Sequence, residues 1–370
     1  MSEQSRQLRL VISGYYGFGN LGDEAVLAGL LTGIRTLTPG VSVVVLSADP
    51  SATSAVYDVE AVDRGSLPQI WHALREADGL LSGGGSLLQD VTSRRSIYYY
   101  LSVMAVARIC RRPYCLYGQG IGPIQRNWAR RMTRFILDGS CGVWVRDEAS
   151  LRLVTELCAR PAVLSLAGDP AFLLPPLVGE EEHTVSGSPR WVIAVRSWQA
   201  ESVWWPNLVE ALGRAAVKTG ASLLFLPMHR GFDSELSSRT ARRLRKDFGL
   251  SAELSEIVSV HQARRLLSDA HLVIGMRLHA LIMGAAEGTP GVAISYDPKV
   301  EAFASEAGLP WISLQPLHTA SGAERLYQMI IAAWQARSDI RSRLRQHAKL
   351  RQEAAKEGLE AALRAVGMTS

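Results

Sequence analysis

Short, continuously apolar runs alternate along this chain with longer segments whose apolar positions recur at helical spacing. In the first half the runs cover residues 8–13, 41–47, 79–82, 114–117, 142–145 and 163–166. Between them lie helical patterns over 23–36, 94–110, 128–137 and 148–158. Strands that are apolar on both faces and separated by helices predict a parallel sheet covered on both sides. The alternation stops at 176–190, where prolines, glycines, serines and an acidic run predict a linker. It then restarts, with strands over 191–195, 222–226, 272–274 and 291–295.

The pattern predicts an α/β protein of two Rossmann-like domains, over 1–175 and 191–320. A final helical segment over 321–370 is expected to pack back on the first domain. The length of 370 residues, 47 % of them hydrophobic, suits two cores better than one. The most apolar helical stretch, 97–107, is about half of what a bilayer span needs, so it reads as a buried helix. An interfacial helix is the alternative. The opening Met-Ser-Glu-Gln-Ser-Arg does not read as a secretory leader, because Glu3 and Arg6 precede only a short apolar strand.

Charge changes the picture little. There are 40 Lys+Arg against 35 Asp+Glu, and much of the excess sits at Arg337, Arg341, Arg343, Arg345, Lys349 and Arg351. Such a run predicts one solvated helix face, with attraction to an anionic membrane surface as the sharper alternative. No aromatic residues interleave it, which argues against nucleic acid. Cys110, Cys115, Cys141 and Cys158 show no metal-ligand spacing and read as reduced core thiols of a cytoplasmic protein. No metal site is expected.

In open parallel sheets ligands bind beyond the carboxyl ends of the strands, so the residues there carry the functional argument. In the first domain they are Gly14-Tyr-Tyr-Gly-Phe-Gly-Asn-Leu-Gly-Asp-Glu24, Gly83-Gly-Gly-Ser86, Gln119-Gly-Ile-Gly122, Arg146-Asp147 and Gly168-Asp-Pro170. Gly84 and Gly85 permit close backbone approach to a ligand, while Asn20, Asp23 and Glu24 suit either helix capping or sugar hydroxyls. The spacing of Gly14, Gly17, Gly19 and Gly22 is not a dinucleotide fingerprint. The second domain differs: its strand ends carry Arg196, His229 with Arg230, Arg277 with His279, and Lys299. Arg277 and His279 open a helix directly after a strand, where the helix terminus itself favours an anion. These residues predict a cationic pocket for a small phosphorylated donor.

The motifs together resemble the polysaccharide pyruvyltransferase family, most closely its CsaB-type members. They are Ile12-Ser-Gly-Tyr-Tyr-Gly-Phe-Gly-Asn-Leu-Gly-Asp-Glu24, Gly83-Gly-Gly-Ser-Leu-Leu-Gln-Asp90, Gly118-Gln-Gly-Ile-Gly-Pro123, Val145-Arg-Asp147, Gly275-Met-Arg-Leu-His-Ala280 and Tyr296-Asp-Pro-Lys299. The resemblance implies a GT-B-like fold in which the two domains face a cleft, the first on the acceptor side and the second on the donor side. It implies phosphoenolpyruvate as co-substrate with no cofactor, and as acceptor a sugar 4,6-diol on a lipid-linked, N-acetylmannosamine-containing cell-wall polysaccharide precursor. Products of this kind serve S-layer anchoring. It also implies that Arg146, His279 and Lys299 are functional positions.

On this reading His279 moves protons. Arg277 and Lys299 meet the phosphate and carboxylate, and Arg146 reaches across from the first domain. The expected location is cytoplasmic, with peripheral contact at the inner face of the membrane. The alternatives are a nucleotide-sugar glycosyltransferase, for which Glu301 is the nearby ribose-binding candidate, and a catalytically silent anion- or glycan-binding protein. Trp198, Trp204 and Trp205 are candidates for stacking on a sugar or for plain packing.

Overall fold

The computed structural model describes residues 7–91, 94–177, 188–256 and 259–368. Most of the 176–190 linker lies outside the described residues. The chain divides into two compact units, one of Met1–Leu174 with Arg351–Ser370, the other of Pro175–Leu350.

The first unit contains β1 (Arg9–Tyr16), α1 (Leu21–Leu37), β2 (Ser42–Ser47), α2 (Pro50–Tyr57), β3 (Glu60–Asp63), α3 (Leu67–Glu76), β4 (Gly79–Gly83), α4 (Arg94–Ile109), β5 (Tyr114–Gln119), α5 (Asn127–Asp138), β6 (Gly142–Val145), α6 (Glu148–Glu156) and β7 (Leu164–Leu166). Its strands form one parallel sheet in the order β3-β2-β1-β4-β5-β6-β7. Both faces are covered, which is why the central strands read as unbroken apolar runs. Val11, Val44, Leu80 and Leu116 face one core, and Leu10, Ile12, Val45 and Leu81 the other.

The second unit contains β8 (Arg190–Ala194), α7 (Glu201–Thr219), β9 (Ser222–Phe225), α8 (Ser234–Phe248), β10 (Ala252–Leu254), α9 (Val260–Ser268), β11 (Leu272–Gly275), α10 (Leu278–Ala286), β12 (Gly291–Ser295), α11 (Pro298–Glu306), β13 (Trp311–Ser313) and α12 (Ala320–Gln335). Its sheet is again parallel, in the order β10-β9-β8-β11-β12-β13. The chain past 320 is divided between the units. The helix α12 belongs to the second, and the 29-residue α13 (Arg337–Ala365) gives its residues to the second unit up to Leu350 and to the first from Arg351. In the first unit Ala355, Leu359, Ala362 and Leu363 of α13 are buried. There the Tyr117 hydroxyl donates to the Ala355 carbonyl at 2.5 Å.

The basic run of α13 is solvent-facing, with Arg343, Arg345 and Lys349 exposed and Arg337, Arg341 and Arg351 half-buried. Arg337 lies 4.1 Å over the Trp334 ring and donates to its carbonyl. One expectation is corrected: not all four thiols are in the core, for Cys115 is buried whereas Cys158 is exposed. Among the described residues no group of three His, Cys, Asp or Glu could hold a metal ion. No described helix is long and apolar enough to cross a membrane.

Candidate active site

Each sheet reverses its strand order once, between β1 and β4 in the first unit and between β8 and β11 in the second. Loops leaving such a pair diverge to opposite sides of the sheet and open a crevice at the carboxyl edge. In the second unit the neighbouring strands β9, β8, β11 and β12 send His229, Arg196, Arg277 with His279, and Lys299 to that edge.

Arg277 caps the start of α10 and His279 is the second residue of that helix. Arg277 grips Asp233 with two parallel bonds, Nε to Oδ2 at 2.9 Å and Nη2 to Oδ1 at 2.5 Å. The Asp233 side chain is only 1 % exposed, and its carboxylate also accepts the backbone N–H of His229 at 2.9 Å. Such a fork is the strong form of the ion pair, so Arg277 is held rigidly but its charge is already offset. His229 Nδ1 lies 3.0 Å from the Arg230 carbonyl, an acceptor only, so Nδ1 carries the hydrogen and Nε2 is the basic position of the neutral ring. Burial holds this imidazole below its ordinary pKa, against the pull of the Arg230 carbonyl; the charge on Arg277 pushes it the same way as burial.

Arg196 is different. Its Nη1 donates to the Tyr296 hydroxyl at 2.9 Å, and its guanidinium lies over the Tyr296 and Trp198 rings at 4.8 and 5.2 Å. Its Nε is buried without a hydrogen-bond partner, and no carboxylate pairs with it among the described residues. Its charge is not offset by a carboxylate among the described residues. Lys299, in the first turn of α11, reaches Asp297 at 3.4 Å, and Asp297 also caps the helix by accepting the Lys299 N–H at 3.1 Å. Both side chains are about one-third exposed, so the pair is weak and the ammonium is available. Beside these residues Trp198, Tyr296, Asp297, Glu301, Gln315 and His318 line a cavity of about 370 Å³.

The first unit collects its candidates at the ends of β1, β4 and β6, where they are turned on one another. Asn20 caps α1 by accepting from the Gly22 N–H at 3.2 Å and donates to Asp23. Gly84 and Gly85 both have positive φ, and a methyl on Gly84 would stand 1.8 Å from Val26 Cγ1. A methyl on Gly85 would meet Asp23 at 2.9 Å. Glu24 spends one oxygen on the Gly17 N–H and the other on the Tyr57 hydroxyl, both at 2.8 Å, while burial raises its pKa.

Arg146 is buried, with Nε to Asp147 at 3.3 Å, Nη1 to Asp169 at 3.2 Å and Nη2 to the Ser86 hydroxyl at 2.9 Å. Burial disfavours its charge, but Asp169 and Asp147 more than restore it and raise its pKa. Every guanidinium nitrogen is therefore engaged within the first unit. Its place is that of a clamp joining the β4 and β6 loops to the turn at Asp169, not of an arm extended from the domain.

The structure thus brings Asn20, Asp23, Gly84, Gly85 and Arg146 together in one unit, and Arg196, His229 and Arg277 in the other, with His279 and Lys299 on the adjoining helix starts. Sequence reasoning missed Asp233, which lies in a polar stretch with no apolar pattern beside it. It also missed the hydroxyl of Tyr296, which was visible only as part of a motif.

Comparison with known proteins gives the fold and the family. The chain is 20 % identical to the amylovoran biosynthesis protein AmsJ of Erwinia amylovora, over 82 % of this chain and 87 % of that one. Among solved structures it is similar to HepE of Anabaena in complex with UDP-glucose, with a TM-score of 0.64, 12 % identity and coverage of 97 % and 100 %. A UDP-N-acetylglucosamine 2-epimerase from Listeria monocytogenes gives a TM-score of 0.63 at 12 % identity, covering 96 % and 94 %. At these identities the likeness establishes the fold, which is GT-B-like. The model of the polysaccharide pyruvyl transferase family matches residues 20–298, a span that includes Arg146, Arg196, His229, Arg277 and His279 and stops just short of Lys299, and the chain belongs to that family.

Proposed function

We propose that this pyruvyltransferase takes its pyruvyl group from phosphoenolpyruvate and places it as a 4,6-ketal on a lipid-linked, N-acetylmannosamine-containing wall precursor, as CsaB-type members do. The observation that carries the reading is the cationic edge of the second sheet, with Arg196 free of any carboxylate among the described residues. A donor with a phosphate and a carboxylate on one small carbon frame needs several fixed cations at short range. Arg196 and Lys299 supply available charge, while Arg277 supplies a fixed one that Asp233 orients.

The chemistry balances without an oxidant or reductant. A sugar hydroxyl adds to C2 of phosphoenolpyruvate as C3 takes a proton and becomes a methyl group. Inorganic phosphate then leaves C2, the second hydroxyl closes the ring on the same carbon, and its proton is released. His279, at the start of α10, is assigned the proton delivered to C3. The basic Nε2 of His229 suits acceptance of a hydroxyl proton.

Turnover of His279→Ala is expected to fall by about 10²-fold or more with the fold intact. Full activity removes His279 from the mechanism. Lys299→Ala is expected to raise the KM for phosphoenolpyruvate, and unchanged kinetics would remove its role. One observation favours a second reading, nucleotide-sugar transfer: Glu301 lines the 370 Å³ cavity beside Trp198 and Tyr296. UDP release from a UDP-sugar would select it.

A further inference from the structure

We propose that the outer face of α4 and α5 docks on an anionic lipid bilayer. Between Asp90 and Asp138 the sequence carries nine arginines and no lysine, aspartate or glutamate. That stretch holds α4 and all of α5 but its last residue, Asp138, which pairs with Arg134 at 3.7 Å on the surface. Their inner faces are fully used: Ile97, Tyr100, Leu101, Met104 and Ala107 of α4, with Ala129, Ile136 and Leu137 of α5, are buried in one core. The outer stripes run side by side. Tyr98 stacks on Trp128 at 4.1 Å and 8°, and Arg108 lies 4.5 Å over the Phe135 ring while donating to the Phe135 carbonyl at 3.4 Å.

What these stripes present to solvent is apolar. Ile109 is 66 % exposed, Tyr98 and Phe135 54 % each, and Met132 45 %. Around them stand the exposed Arg108, Arg131 and Arg134. Large apolar side chains at the centre and arginines at the rim are the arrangement that enters the headgroup boundary while pairing with lipid phosphates. The aromatic residues fit the same depth, their rings amphipathic and their positions interfacial. Nucleic acid fits poorly, because Tyr98 and Trp128 already stack on each other and Met132 and Ile109 offer nothing to a base. The basic run of α13 offers charge, with Arg343, Arg345 and Lys349 exposed, but among its described residues only Leu350 is a large exposed apolar side chain, so it lacks the apolar centre.

The test is co-sedimentation of the full chain with vesicles of phosphatidylglycerol and phosphatidylcholine, beside vesicles of phosphatidylcholine alone. Binding is expected to require phosphatidylglycerol and to weaken in high salt. Met132→Ser with Phe135→Ser, and separately Arg131→Gln with Arg134→Gln, should each reduce partitioning by about tenfold or more. Arg343→Gln with Lys349→Gln should leave it unchanged. Circular dichroism and the urea midpoint establish that each variant is folded.

Absence of binding to the anionic vesicles overturns the proposal. So does binding that the α5 variants retain, or that the α13 variant loses instead. A concentration-dependent dimer that the α5 variants abolish also overturns it, by assigning the face to a second copy. No turnover is measured, so this inference and the donor assignment fail independently.

Discussion

The two units share one architecture and load its carboxyl edge in opposite ways. In the first, the strand ends are filled with glycines and with polar groups that satisfy one another: Asn20 with Asp23, Glu24 with Gly17 and Tyr57, and Arg146 with Asp147, Asp169 and Ser86. In the second, cations outnumber their partners. Arg277 is matched by Asp233 and Lys299 loosely by Asp297, while among the described residues Arg196 has only a phenol and two ring faces. The lesson is that a charged residue at a strand end is not by itself a ligand contact. What matters is whether a buried carboxylate has already claimed it.

Arg146 is the sharpest place to break this contrast. Arg146→Ala removes the guanidinium that offsets the buried Asp169 carboxylate, at an expected cost of about 3 kcal/mol, read from the urea midpoint. A variant with the native midpoint but no turnover would show that Arg146 acts on substrate, and the contrast would collapse. Next comes Gly84→Ala, whose methyl collides with Val26 in a backbone of positive φ; a loss of about 2 kcal/mol is expected. Adding Val26→Ala should recover part of it. If stability holds while acceptor use falls, Gly84 is a contact and not a spacer.

Arg196→Gln is the converse case. Its KM for phosphoenolpyruvate should rise about tenfold or more while stability changes by less than about 1 kcal/mol. A large stability loss with unaltered KM would make Arg196 structural.

The smallest effect concerns pH. His229 titrates lower in the fold than its ordinary value of about 6.5, so the unfolded chain binds more protons between the two values. Stability from this residue is therefore undiminished above about pH 6.5 and is lost as pH falls through that window. His229→Gln should flatten this part of the curve of urea midpoint against pH. An unchanged slope removes the assignment of a neutral, buried ring.

Much of the fold was legible because both sheets are covered on two faces. Strands such as β4 and β11 have no solvent side and so read as continuous apolar runs. The strands that escaped notice, β3, β10 and β13, are short and lie at sheet edges, where Glu60 and Asp63 of β3 and Glu253 of β10 need no burial. The cationic edge was legible too, since Arg196, His229, Arg277 and Lys299 each directly follow a strand. Its electrostatics were not. Asp233 is far from Arg277 in sequence and sits before a polar helix, so nothing in the pattern showed that it neutralises the arginine. The engagement of Arg146 was hidden for the same reason, its partners Ser86 and Asp169 being distant along the chain.

The central claim is that the second sheet's cationic edge holds phosphoenolpyruvate for transfer to a 4,6-diol. The most direct test incubates the protein with phosphoenolpyruvate and a synthetic lipid-linked N-acetylmannosamine disaccharide, following phosphate release and acceptor mass together. Acceptor-dependent phosphate release is expected, with a mass gain of one pyruvyl ketal and loss of both in His279→Ala. Phosphate release with no change in acceptor mass, or an unmodified acceptor with UDP released from a UDP-sugar in a parallel reaction, would contradict it.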